Sequence, residues 1–184
     1  MMAGGARVRL EVVADTDESV PSLETGDLFR RYAPYVAKIG YRLLGSGDDI
    51  DDLVQDVFLA AHRGLRSLRQ PEAVKGWLAT VAVRVARRRL RRRRMLNVVG
   101  LGGPNDHQHE VVDPAATPEQ RALVSQVYAI LDRLPINHRI AWTLRHVQGE
   151  TLERVAELSG CSLATAKRRI RAAALAIEEE VPNE

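Results

Sequence analysis

Three groups of side chains in this 184-residue sequence have the types and spacing to do chemistry. Asp48, Asp49, Asp51, Asp52 and Asp56 crowd one short stretch. Carboxylates so close together can ligate a divalent cation or divide general acid and base roles. Eight arginines lie between Arg84 and Arg94. They carry far more positive charge than nearby acids can pair, and guanidinium forks match phosphate oxygens. The third group is Thr165, Lys167, Arg168 and Arg171, which follow the Gly160–Cys161–Ser162 turn. Side chains of these types on a helix can enter a major groove and bond guanine edges and phosphates.

The catalytic reading of the aspartates lacks support. No glycine-rich phosphate loop and no nucleophile motif accompanies them. Acids at a helix start cap free N–H groups and face the positive end of the dipole. They read better as helix-start residues and a polar surface for a partner. His107 and His109, with Asp106 and Glu110, could hold a divalent ion, but they sit among glycines and prolines and read as solvated loop residues. The expectation is therefore no catalytic residue, no metal and no cofactor. Net charge is only +3, yet the pI is near 9.3, and acids crowd the first part while arginines crowd two later blocks. Such blocks suit nucleic acid better than the net charge implies. A polybasic membrane contact is the alternative for the arginine run, but no lipidation motif accompanies it. Cys161 is the single cysteine, so no internal disulfide forms, which fits a reducing cytosol. No apolar run spans a bilayer, and the first residues lack the apolar centre of a signal peptide.

These side chains need helices to position them. Apolar stripes predict a first helix from near Asp27 through Leu43, with Pro34 kinking or splitting it and Gly45 and Gly47 ending it. A second helix opens at the aspartates and turns Ile50, Leu53, Val54, Val57, Phe58, Ala61 and Leu65 to one apolar stripe, leaving Asp52, Gln55, Asp56 and His62 off it. A third starts near Pro71, carries Trp77 on its apolar face and runs into the arginines. Thr117 and Gln120 form a capping box for a fourth. Pro135 restarts the chain, and Thr151 and Ser162 cap the two helices of a helix-turn-helix whose turn uses Ala156 and Gly160. Trp77 and Trp142 read as core, with Trp77 close enough to the basic helix to border a DNA site. The fold expected is all-α, with two small helical domains joined by a flexible linker, the second a helix-turn-helix. The divisions are 1–24, a disordered or weakly ordered extension with a short strand at Val8 to Val13; 25–96, the first domain; 97–116, the linker; and 117–184, the second domain.

This ordered set of motifs resembles the bacterial sigma-70 family of RNA polymerase sigma factors, in particular the compact extracytoplasmic-function (ECF) group. The matching residues are LFRRYAPYVAKIGYRLLG, DDIDDLVQDVFLAAHRGL and GWLATVAVRVARRRLRRRR for region 2, and LPINHRIAWTLRHVQGETLERVAELSGCSLATAKRRIRAA for region 4. The resemblance implies a cytoplasmic, non-enzymatic protein that binds core RNA polymerase and promoter DNA. Asp52, Gln55 and Asp56 match positions that contact the polymerase. Trp77, Arg84, Arg87, Arg88 and Arg91 lie on the helix that melts and reads the −10 element. Ser162, Thr165, Lys167, Arg168 and Arg171 lie on or cap the one that reads the −35 element, and Ile136 to Gln148 resembles the part meeting the polymerase flap. An anti-sigma factor is a further partner the resemblance allows. The sequence departs from the family at RRRLRRRR, at Ala164 and Arg169, and at QPEAVKG, which lacks an aromatic. A helix-turn-helix regulator that never joins polymerase is the competing function. It would not need the Asp52, Gln55 and Asp56 surface.

Overall fold

A computed structural model describes residues 25–47, 49–64, 73–100 and 116–181. Among these residues the regular structure is entirely helical: α1 (Thr25–Leu44), α2 (Ile50–Gly64), α3 (Val74–Val98), α4 (Pro118–Arg133), α5 (Ile136–Trp142), α6 (Leu152–Ser159) and α7 (Leu163–Glu180), with a π-helical turn at Thr143–Val147 after α5. The extension with its proposed strand, Asp48, Pro71 and most of the linker lie outside the described residues.

The stripes read from sequence are the ones that bury. Leu28, Val36, Ile39 and Leu43 of α1 meet Leu53, Val57 and Phe58 of α2 and Leu78, Ala82 and Val85 of α3. A Cβ at Gly40 would stand 2.7 Å from Leu53 Cδ2, so glycine lets α1 and α2 cross closely there. Pro34 neither splits nor interrupts α1. The carbonyl it fails to serve belongs to Arg30, and both residues are exposed, so water can take that bond. Gly45, at φ 75°, turns the chain after α1. The helix α3 overruns the expected linker start at Asn97 and ends at Val98, with Gly100 in the left-handed region. Arginine, methionine and leucine are good helix formers, so nothing stops the helix sooner.

In the second half, the Thr117–Gln120 capping box forms in both directions. Thr151 and Ser162 each accept a bond from the backbone N–H three residues on. Between α6 and α7, Gly160 takes φ 63°, and Cys161 N–H returns to the Ala156 carbonyl at 3.0 Å. α5, α6 and α4 all pack on α7.

The two sets of helices also pack on each other. α3 lies against α5 and α6, α1 lies against the π-helical turn, and one apolar cluster runs from Leu28 to Ile170. The polar part of this seam consists largely of arginines donating to peptide carbonyls. Arg139 Nε and Nη2 donate to the Leu43 and Leu44 carbonyls at 3.1 and 2.7 Å. Arg87 donates to Ser159 O at 2.9 Å, Arg154 to Gly76 O at 2.9 Å and Arg94 to Leu134 O at 3.3 Å. Tyr128 Oη donates to Arg42 O at 2.7 Å, and Arg42 itself donates to Gln148 Oε1 at 2.8 Å. Burial pushes the Tyr128 phenol up to about 12, so it stays neutral and donating. Tyr128→Phe should lower stability by about 1 kcal/mol, read as a shift in the urea midpoint, because Arg42 O then loses a buried donor.

Candidate nucleic-acid and polymerase interface

Helix α7 presents its basic side outward because Ala166, Ile170 and Ala173 anchor the opposite side in the core. Lys167, Arg168 and Arg171 are exposed. Thr165 is half-buried, and its backbone N–H and hydroxyl are both engaged with Ser162 Oγ, at 3.2 and 2.9 Å. Ser162 and Thr165 therefore fix the start of the helix, while the cations further along it are free of such duty. A cap of this kind ends in a cluster of N–H groups that also favours a phosphate.

Helix α3 divides its arginines between two directions. Arg84, Arg88 and Arg91 are exposed. Arg87 instead turns into the seam, where its guanidinium meets the last carbonyl of α6. Burial first, then the neighbouring charges of Arg91 and Arg169, hold its pKa below the usual arginine range. Trp77 is half-buried over the end of α2, where a Cβ on Gly64 would come within 2.8 Å of its ring. Trp142 is likewise half-buried, stacked on His146 with centroids 5.0 Å apart.

On α2, Asp52 and Gln55 are exposed. Asp56 is not on the same open footing. Its Oδ2 accepts from Arg89 at 2.7 Å and from Arg88 at 3.3 Å, so part of the polar face is already paired with α3. One further pair, Asp49 with Arg93 at 2.6 Å, joins the same two helices. Reading α2 alone could not find these partners, which lie more than thirty residues away. Nor did it single out Arg139, the most buried cation among the described residues, whose only sequence cue is an arginine near an apolar stripe. Among the described residues no group of three or more His, Cys, Asp or Glu side chains could hold a metal ion. No described helix is long and apolar enough to cross a membrane.

His138 lies on α5, which packs on α7, within electrostatic reach of Arg169 and Arg168. Burial first, then those two charges, lower its pKa below the ordinary histidine value. The folded state thus binds the proton less readily than the unfolded state. Stability from the neutral imidazole is complete above the unfolded pKa, about 6.5, and is lost as pH falls below it. The urea midpoint should drop between pH 7.5 and pH 5.5, and His138→Gln should remove part of that drop. An identical pH dependence in the variant would exclude His138 as a contributor.

The described surface therefore carries an exposed basic side on α7, a row of exposed arginines on α3 and an exposed acidic end on α2. The family model for sigma-70 region 2 matches residues 28–95. The ECF RNA polymerase sigma-E factor of Escherichia coli strain K12 is 31% identical over 159 residues, spanning 82% of this chain and 83% of that protein. The ECF RNA polymerase sigma factor SigE of Mycolicibacterium smegmatis is 29% identical over 147 residues, spanning 78% of this chain and 56% of that protein. Among solved structures, the sigma factor RpoE from Bartonella quintana, in complex with the anti-sigma factor NepR, superposes with a TM-score of 0.65 at 20% identity. It covers 88% of this chain, which matches 99% of that one. CnrH, in complex with the cytosolic domain of CnrY, gives 0.54 at 23% identity, over 85% of this chain and 86% of its own. The chain belongs to the ECF sigma factors of the sigma-70 family. Its class is that of non-catalytic factors for transcription initiation.

Proposed function

We propose that this chain binds core RNA polymerase in the cytoplasm and directs it to promoters, reading the −10 element with α3 and the −35 element with α7. The observation that carries this reading is the pairing, in a member of this family, of an exposed Lys167–Arg168–Arg171 face with a separate row of exposed arginines at Arg84, Arg88 and Arg91. The first set sits on a capped helix behind a glycine turn, as groove reading requires. The second set follows a helix face at phosphate-contacting spacing. Its contacts supply affinity more than sequence discrimination. Trp77, beside this row, offers an aromatic surface for an unstacked base. Asp52, Gln55 and Asp56 form the polymerase-facing part of α2.

Promoter recognition at both elements requires the two helical sets to part. Elements about 25 base pairs apart lie roughly 85 Å apart along B-form DNA. A packed body of this size has a radius of gyration of only about 15 Å. The stretch between Gly100 and Ala116 could reach about 55 Å when extended, so the sequence is long enough to allow a large displacement. The seam is in this reading a contact of the free protein, exchanged for polymerase and promoter contacts.

Transcription by core polymerase reconstituted with this chain, on a promoter library, tests the assignment. Arg168→Ala should cost ~1–3 kcal/mol and relax preference at one upstream position. Arg91→Ala should weaken binding to many sequences and reduce the salt slope by about one. Unchanged upstream preference across alanine variants of Thr165, Lys167, Arg168 and Arg171 would remove α7 from promoter reading. DNA binding that never involves polymerase would favour a regulator acting alone.

A further inference from the structure

Asp56 stands where two surfaces meet. It follows Asp52 and Gln55 on the polar side of α2, yet its Oδ2 accepts from Arg88 and Arg89 on the arginine-rich α3. Arg89 is only 18% exposed, so its guanidinium is held down against α2 rather than extended toward solvent. Arg88 is 72% exposed and reaches the same oxygen from outside. Asp49 holds Arg93 in the same manner nearer the start of α2. Asp56 itself is 35% exposed and can be reached by another cation. A carboxylate has two oxygens, and both arginines use Oδ2. A cation arriving at the other oxygen would share the charge and loosen both pairs.

We propose that Asp56 is an exchange carboxylate: in the free protein it holds Arg89 down against α2 and shares the charge of the exposed Arg88, and a cationic group of core polymerase takes it over, freeing Arg89 for nucleic acid and unloading Arg88. This rests on the reading of α2 as the polymerase-facing surface. The coupling works in both directions, because whatever lowers the cost of freeing Asp56 for polymerase also frees the arginines for phosphate, and the reverse. Asp56 is thereby a positioning residue for DNA contact as well as part of the polymerase surface. Neutralising it should imitate the polymerase-bound state of α3.

The test uses the full chain without polymerase, binding a fluorescent 30-base-pair duplex that carries no promoter, across a salt series. Asp56→Asn preserves shape and removes the charge. It should bind about three- to tenfold tighter than wild type at low salt, with a salt slope steeper by about one, as one further phosphate contact predicts. Asp51→Asn removes the same charge from an exposed position on α2 and should stay within about twofold. Adding Arg88→Gln and Arg89→Gln to Asp56→Asn should return the affinity to the wild-type level or below. Equal behaviour of Asp56→Asn and Asp51→Asn overturns the exchange, as does a gain that survives loss of both arginines. Core-polymerase affinity, measured on the same variants, separates the two readings. Weaker polymerase binding by Asp56→Asn without a DNA gain sinks the exchange and leaves the α2 assignment standing. A DNA gain with unaltered polymerase binding overturns the exchange because the α2 assignment has failed.

Discussion

Replacing Arg139 with alanine should lower the stability of the free protein by roughly 3 kcal/mol, the scale for breaking a buried ionic contact from one side. The residue is 2% exposed, and its side chain bonds three different acceptors: the Leu43 and Leu44 carbonyls and the Asp132 carboxylate. Tyr128 also lies against the guanidinium, with its ring centre 5.8 Å away. Burial pushes the Arg139 pKa down to about 10, still far above neutrality, so the group remains a cation at physiological pH. The two carbonyls end α1 and have no next helical turn to serve them, so alanine leaves them facing a void. Lysine keeps the charge but has no planar fork, and should recover only part of the loss. Arg133, whose pair with Glu180 is exposed, provides the comparison; its alanine variant should change stability by less than about 1 kcal/mol. Urea unfolding of the three variants decides the matter. A loss for Arg139→Ala no greater than that for Arg133→Ala would mean water replaces the guanidinium without penalty.

Asp52→Lys should reduce affinity for core polymerase by tenfold or more, since like charges set against each other at an interface cost several kcal/mol. Asp52 is exposed and sits in the first turn of α2, with the apolar residues of that helix turned the other way. The fold should survive, with a penalty of about 0.5 kcal/mol from a cation near the positive end of the helix dipole. Asp52 is a cleaner site for this test than Asp56, whose reversal would also set Arg88 and Arg89 loose. Competition against the unmodified chain for a limited amount of core polymerase gives the ratio directly. Equal competition would take Asp52 out of the polymerase surface.

Much of the fold was legible because its signals are local. Thr117 with Gln120, Thr151 and Ser162 cap helices wherever they occur, and each does so here. Gly160 adopts the left-handed turn that its place between two helices demands. The stripes of α1, α2 and α3 identified their buried faces with no knowledge of what would cover them. The exposed cations of α7 followed from the same periodicity. What could not be read depends on distant partners. Arg139 has the residue type of a surface group, and only the end of α1 makes it a core residue. Arg87 fell in a run of similar arginines, and only the α6 carbonyl distinguishes it. Asp56 gave no sign that its charge was spoken for. The π-helical turn after α5 also escaped notice, since one extra residue in a turn leaves no compositional mark. The overrun of α3 into the linker is a milder case, in which helix formers carried a helix past the boundary suggested by the glycines.

The bonds from Arg139 to the end of α1 have a meaning for the protein while it is being made. Leu43 and the arginine that satisfies its carbonyl are 96 residues apart. At ordinary elongation rates that gap is roughly 5–20 seconds of synthesis. During that interval α1, α2 and α3 can assemble around Leu53, Leu78 and Ala82, but the seam side of α3 and the last carbonyls of α1 have nothing to cover them. The newborn first half therefore spends that interval with a wet helix end and an apolar flank, the kind of surface that favours association between incomplete chains. Slower or faster synonymous codons between Leu43 and Arg139 would lengthen or shorten that window without changing a single residue of the finished molecule.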